Sequence, residues 1–363
     1  MSTPTPLSNI GEVELIERLH AIVNIQVSDP TIHSNLLKGI SDDTAVYKPR
    51  EGFVQLITTD AFVEGIHFDL TYTSPKHLGW KAMVANLSDI AAMGGTPRYA
   101  VISLALPNKI SVEFIEQFYQ GLALACREYS CLLVGGDTVG SLANMFISVT
   151  LVGEAKEDKI MYRNTAKVGD VICVTGHLGA SHAGLKILQK EKARYAQATQ
   201  PDTFKPNLEA YTPVLEKHLM PRPRLDIAQL LVEQSSVQAT QGHAMQVHAM
   251  IDVSDGIASE IHRICDASDT GASIQERNIP LHENTKTVAS DLHESAVDYA
   301  LFGGEDYELL FTLTEEDFHH LQTLTTDISL IGRITSRNKG IELVKPDGEA
   351  VLLPFGGWDH FRK

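Results

Sequence analysis

The sequence predicts a two-domain α/β protein. Three observations carry this reading. A chain of 363 residues exceeds what one core usually organises. Strand and helix patterns alternate from Val54 to Val152, and they alternate again beyond a charged, turn-rich stretch at Glu154–Gly169. A hydrophobic content of 43% with 21% charged residues is ordinary for a globular protein, so no staples are needed to build the core.

In the first half, Val54–Thr58 is a β-rich run ending in Thr59-Asp60. Ser74 and Pro75 supply an N-cap and a first-turn proline, opening a helix that stops at Gly94-Gly95. Tyr99–Leu106 reads as a buried strand, and Ser111 to about Tyr129 as a second helix. A short strand, Cys131–Val134, enters Gly135-Gly136-Asp137, and Met145–Val152 closes a two-layer unit. In the second half, Asp170–Thr175 is a strand and a helix follows Gly179. From Gln189 to Gln246 the periodicity is interrupted, and the stretch reads as part helix and part surface loop. Regular structure resumes with a strand at His248–Val253, a helix after Gly256, and strands near Glu308–Leu313 and Ile328–Ile334. The boundary between domains is expected at 154/155.

Composition excludes several functions. With 30 basic and 46 acidic residues the net charge is −16, against the basic face that nucleic-acid binding uses. The longest clean apolar stretch, about Tyr99 to Leu106, is far short of a membrane span. The N-terminal MSTPTPLSNI has neither a basic region nor an apolar run, so a signal peptide is not expected and the cytoplasm is. Cys126, Cys131, Cys173 and Cys265 show no metal-type spacing and are expected as buried, reduced thiols. The negative charge also means that a phosphate ligand would need divalent cations to offset repulsion.

Six segments place carboxylates beside small residues: Ser41-Asp42-Asp43-Thr44, Thr58-Thr59-Asp60, Ser88-Asp89, Gly135-Gly136-Asp137-Thr138, Asp252-Val253-Ser254-Asp255-Gly256 and Gly303-Gly304-Glu305-Asp306. Each is expected at a strand end or a helix start. Taken singly, each is explained by capping or a turn. Capping does not require the repeated pairing with glycine. Asp89 is the most informative, because the helix around it is apolar on nearly every face and a carboxylate there has to be paired, hydrogen-bonded or bound to metal. Such hard oxygen donors suit Mg²⁺. The chain has no GxxxxGK[ST] loop, no GxGxxG turn and no protein-kinase catalytic loop, so any phosphoryl transfer must rely on metals and scattered donors.

Seven segments, GISDDTAV (39–46), TTDAFVEGIHF (58–68), GWKAMVANLSDIAAMGG (79–95), GGDT (135–138), DVSDG (252–256), GGEDYEL (303–309) and WDHF (358–361), resemble in their order the bacterial thiamine-monophosphate kinases of the aminoimidazole ribonucleotide synthetase-like superfamily. The resemblance runs from about residue 8 to the C-terminus and is weakest over 189–246. It implies ATP-dependent phosphorylation of thiamine monophosphate to thiamine diphosphate, the last step in making that coenzyme. It also implies an N-terminal domain (1–154) of sheet plus helices that dimerises through its sheet, and a C-terminal α/β domain (155–363) that completes the cleft for ATP and thiamine monophosphate.

By the family pattern, Asp43, Thr58, Thr59, Asp60, Asp89, Asp137, Asp252 and Asp255 are expected to bind several Mg²⁺ ions. Gly136, Asp137, Arg163, Ser254 and Tyr129 are expected to meet ATP. His67, Glu305 and Trp358 are expected to meet the thiamine substrate, and Asp60, Asp137 and Arg163 to carry the transfer. Read without the family, His67 is a half-buried strand-end histidine, Arg163 a surface charge and Trp358 an anchor for the C-terminus. Ser41 stands where the family usually has glycine. The enzymatic alternative is an aminoimidazole ribonucleotide synthetase-like reaction. A selenophosphate synthetase is disfavoured because no cysteine precedes Cys126. A non-catalytic nucleotide or cation sensor is disfavoured by the separate substrate motif.

Overall fold

The computed structural model describes residues 4–40, 44–199, 204–235 and 245–358. The chain divides into two units, residues 1–90 with 95–158, and residues 91–94 with 159–363.

In chain order the first unit contains α1 (Gly11–Val23), α2 (Pro30–Asn35), β1 (Leu36–Lys38), β2 (Val46–Tyr47), β3 (Val54–Val63), α3 (Pro75–Ala92), β4 (Thr96–Pro107), α4 (Val112–Glu128), β5 (Leu132–Ser141) and β6 (Phe146–Ala155). Its main sheet has the order β3-β6-β4-β5, antiparallel except for the parallel pair β4·β5. The caps read from sequence form: the Ser74 hydroxyl accepts from the His77 N–H, and Ser111 from the Phe114 N–H.

On one sheet face Ile102, Leu104, Val149 and Leu151 are fully buried. Exposed Ile57, Val101 and Val139 stand on the other. Helix α3 is buried on nearly every side, as its all-round apolar pattern requires. It meets α4 backbone to backbone: a Cβ on Gly79 would fall 1.9 Å from the Phe118 carbonyl oxygen, and one on Gly121 2.0 Å from that of Lys76. Only glycine allows that approach.

The second unit contains β7 (Val171–Thr175), α5 (Ala180–Ala196), α6 (Thr212–Leu219), α7 (Leu225–Gln234), β8 (Val247–Val253), α8 (Ile257–Ser268), β9 (Thr270–Gln275), α9 (Glu283–Leu292), α10 (Ala296–Phe302), β10 (Glu308–Leu313), α11 (Glu315–Gln322), β11 (Ile328–Ser336), β12 (Ile341–Val344) and β13 (Ala350–Leu352). A seven-stranded sheet runs β13-β12-β9-β11-β7-β10-β8, antiparallel except for β12·β9. Two cores lie against it. One joins Ile172, Val174 and Leu310 to Ile257, Ile261 and Ile264 of α8. The other joins Val171, Cys173, Leu309 and Phe311 to Ile227 and Leu231 of α7 and Phe318 of α11. Adjacent residues of β7 thus serve opposite cores, which is why its sequence, VICVT, shows no polar alternation. All four cysteines are buried and free.

Two expectations are corrected. Strand β3 runs on to Val63 and β5 to Ser141, so Thr59, Asp60 and Asp137 lie inside strands, whereas Asp89 lies within α3 as read. The ladders to β6 and β4 continue through these polar residues because backbone pairing does not depend on the side chain. The expected turn at Gly135-Gly136 is a stretch of paired strand.

Replacing Gly121 by alanine should cost about 2–3 kcal/mol through overpacking at the α3–α4 crossing. Gly140→Ala, where a Cβ meets nothing within 4 Å, should stay within about 0.5 kcal/mol of the parent. Thermal melts of the two variants check this.

Candidate functional site

Register sorts the acidic donors of the first unit onto two faces. Residues opposite one another on paired strands share a face. Asp60 is opposite Val149, which is opposite Ile102, so Asp60 lies on the helix-covered face. Asp137 is opposite Ser103, which is opposite Ser148, so Asp137 lies on the exposed face. Thr58 shares the Asp60 face, and its hydroxyl donates to the Asp89 carboxylate of α3. Thr59 faces the other way, where its hydroxyl accepts from Thr150 (3.0 Å) and donates to the Val149 carbonyl (3.1 Å). The candidates therefore form an inner set, Thr58, Asp60 and Asp89, and an outer set, Thr59 and Asp137. Both offer only oxygen, the donor chemistry that suits Mg²⁺. Among the described residues no three His, Cys, Asp or Glu side chains gather as a metal site. Asp43, with Ser41, lies outside the described residues.

His67 follows β3 and accepts the Val63 N–H at Nδ1 (3.0 Å), which places the neutral ring's proton on Nε2. Its ring lies against Phe62, centroids 5.6 Å apart. Tyr129 caps the C-terminus of α4 and tilts against Trp80. Gly136 is required by close strand approach, since a Cβ there would fall 2.4 Å from the Ile102 carbonyl oxygen.

In the second unit the structure brings Ser254, Asp255, Glu305 and Trp358 together. The Glu305 N–H donates to the Ser254 carbonyl (2.7 Å), and the Trp358 N–H to the Asp255 carbonyl (3.4 Å). Asp252 is buried in β8, two residues before Ser254. The Asp255 carboxylate is held by Arg263 Nη2 at 2.6 Å, and Nη1 of the same guanidinium bonds both Glu260 oxygens at 2.9 and 2.8 Å. Burial lifts the Glu260 carboxyl to about 7, against the pull of Arg263. Trp358 is 53% exposed; the rest of the WDHF segment lies outside the described residues.

Arg163 is not brought to this cluster. Its carbonyl accepts from Ser268 at the far end of α8, whose 12 residues span roughly 18 Å. Its side chain is exposed.

Sequence reasoning missed His218, which lies 3.5 Å from Glu305. It falls in the 189–246 stretch, where no periodicity marked it. Asp306 was visible in GGED, but its role was not. It accepts from the Gly179 N–H (2.7 Å) and the Ser181 N–H (3.2 Å), holding the N-terminus of α5. Burial pushes its carboxyl up to about 7, although these two donors favour the ionised form.

The AIR synthase related protein N-terminal domain matches residues 41–155, and the corresponding C-terminal domain matches 167–345. The thiamine-monophosphate kinase of Bacillus subtilis is 34% identical over 334 residues, covering 91% of this chain and 95% of that protein. The crystal structure of thiamine-monophosphate kinase from Stenotrophomonas maltophilia aligns at a TM-score of 0.74 and 30% identity, over 93% of this chain and 96% of that one. AaThiL complexed with AMPPCP and TMP aligns at 0.71 and 32% identity, over 99% and 100%.

A carboxyl raised above its ordinary 3.8 takes up a proton on folding between the two values. The Asp306 contribution is thus present at low pH and lost as pH rises through about 7. Stability should fall between about pH 4 and pH 7 by on the order of a few kcal/mol from this group. Asp306→Asn should flatten that part of the profile, read as melting temperature against pH.

Proposed function

The chain belongs to the thiamine-monophosphate kinase family of AIR synthase related proteins, and we propose from this premise that it transfers the γ-phosphoryl group of ATP to thiamine monophosphate, forming thiamine diphosphate. The observation that carries the proposal is the end-to-end likeness to AaThiL complexed with AMPPCP and TMP, taken with acidic donors at the family's motif positions in both units.

The acceptor, a phosphate oxygen, is already largely ionised at neutral pH, so the enzyme needs no strong general base. Its task is to bring two anions into line. The oxygen donors of Thr58, Asp60 and Asp89 on one face, and of Thr59 and Asp137 on the other, would hold Mg²⁺. Asp43, Asp252 and Asp255 would complete the set. Bound magnesium supplies charge neutralisation for the phosphates. The Thr58 hydroxyl keeps Asp89 oriented without adding charge. Gly136, Ser254 and Tyr129 would meet ATP, and Arg163 would meet it from a position apart from the Ser254–Asp255 cluster. His67 can donate from Nε2 to an oxygen of the substrate. Glu305 suits the cationic thiazolium ring, and Trp358 offers a plane on which a heterocycle can stack. The side chains assigned here present no activated nucleophile, which supports direct in-line transfer.

A homodimer formed through the first unit's sheet is supported by its exposed apolar residues, Ile57, Val101 and Val139; sedimentation velocity decides it. No helix is long and apolar enough to cross a membrane among the described residues, which is in keeping with a cytoplasmic location.

Offered ATP, Mg²⁺ and a panel of thiamine, thiamine monophosphate and aminoimidazole precursors, the purified chain should phosphorylate thiamine monophosphate, with inversion at a chirally labelled γ-phosphorus. Turnover of the aminoimidazole precursor alone would reassign the reaction, and retention would replace direct transfer by a phosphoenzyme. Asp60→Asn should lose at least ~100-fold in kcat at saturating Mg²⁺ while keeping a native circular dichroism spectrum. Near-parental turnover in that variant would remove Asp60 from the metal set.

A further inference from the structure

Glu305 stands on strained backbone, with φ at 67°, and Tyr307 two residues on is also left-handed at 52°. Non-glycine residues hold that conformation only where their surroundings impose it. Two backbone bonds do so here, Glu305 N–H to the Ser254 carbonyl at 2.7 Å and Tyr307 N–H to the Val253 carbonyl at 2.9 Å. They fix the Cα of Glu305 but leave its long side chain to be oriented by something else.

One neighbour that meets the side chain is His218 of α6. It is 4% exposed, and its Nδ1 lies 3.5 Å from Glu305 Oε2. The same nitrogen lies 3.2 Å from the Ser181 hydroxyl. Ser181 opens α5, and its N–H is held by Asp306, the residue after Glu305. Helices α5 and α6 pack so closely that a Cβ on Gly184 would sit 2.9 Å from the His218 Cβ. The contacts close a ring: Glu305 to His218, His218 to Ser181, Ser181 to Asp306, and Asp306 back to Glu305 along the chain. Both helices thus contribute to where the carboxylate stands.

We infer that His218 is a positioning residue for substrate selection, setting the rotamer of the Glu305 carboxylate so that it is preorganised for the cationic thiamine moiety. This rests on the kinase reading above. A carboxylate already held in its binding rotamer loses less entropy when the substrate arrives. His218 meets Glu305 and Ser181 through side chains, whereas Ser254, assigned to ATP, is tied to Glu305 through the backbone. The effect of breaking the His218 contacts therefore falls on the affinity for thiamine monophosphate.

The experiment compares full-length parent, His218→Leu, His218→Asn and Ser181→Ala in steady-state kinetics, with melting temperatures from the same preparations. The Asn amide nitrogen reaches the place of Nδ1, whereas Leu fills the space without a polar atom. His218→Leu should raise KM for thiamine monophosphate about tenfold, with kcat and KM for ATP within about twofold; His218→Asn should recover most of the loss. Ser181→Ala should raise the same KM about threefold, and it carries the test if His218→Leu does not fold. An unchanged KM for thiamine monophosphate in the folded variants overturns the inference. So does an equal rise for Leu and Asn, or a parallel rise in KM for ATP. Absence of thiamine monophosphate turnover in the parent is read in its own arm and overturns the kinase reading itself.

Discussion

A carboxylate taken out of water must find charge or hydrogen-bond donors to replace its hydration, and this constraint organises the interior of both units. Glu308 is the fullest case. It is almost completely buried, and it accepts from the Thr175 hydroxyl at 2.6 Å, from Arg224 at 2.8 Å and from Lys217 at 3.0 Å. Those donors come from β7, α6 and the start of α7, so one carboxylate ties three elements together. Asp306 uses the N-terminus of α5, and Asp255 with Glu260 uses Arg263. In the first unit, Arg98 takes the buried Glu154 at 2.6 Å, and Thr58 takes Asp89.

The partners differ in kind, and the difference separates architecture from chemistry. Glu308 and Glu154 are met by fixed cations, which neutralise them and leave little for a ligand to do. Asp89 accepts the Thr58 hydroxyl among its partners, and that bond orients the carboxylate without itself adding charge. A site that must attract magnesium while handling two anions needs the second arrangement. Asp255 stands between the two, since Arg263 holds it in this state. A magnesium ion there would have to compete with a guanidinium.

Much of the fold was legible in the residues. The caps at Ser74 and Ser111, the all-round apolar helix α3 and the unbroken apolar run of β7 each follow from local chemistry, and each is found as read. The lengths of β3 and β5 were not legible. Polar and glycine-rich residues resemble turns when read locally, and only the neighbouring strands reveal that the ladder continues through them. The bounds of the helices in 189–246, a stretch read only as part helix and part loop, were hidden for a related reason. Helix α6 spans only 8 residues, too few for a period to stand out, and it is stabilised by packing on α5.

The sequence by itself determined which residues carry oxygen donors, that they recur beside small residues, and which family shares them in order, because residue type and spacing are local properties. The tertiary structure alone decided how those donors are grouped. Side-chain direction alternates along a strand, and strand register is a non-local property. Thr58 and Asp60 therefore stand with Asp89 on one face, while Thr59 and Asp137 share the other. His218 reaches Glu305 across 87 positions of sequence because helix packing, which no local pattern encodes, brings α6 to the loop before β10.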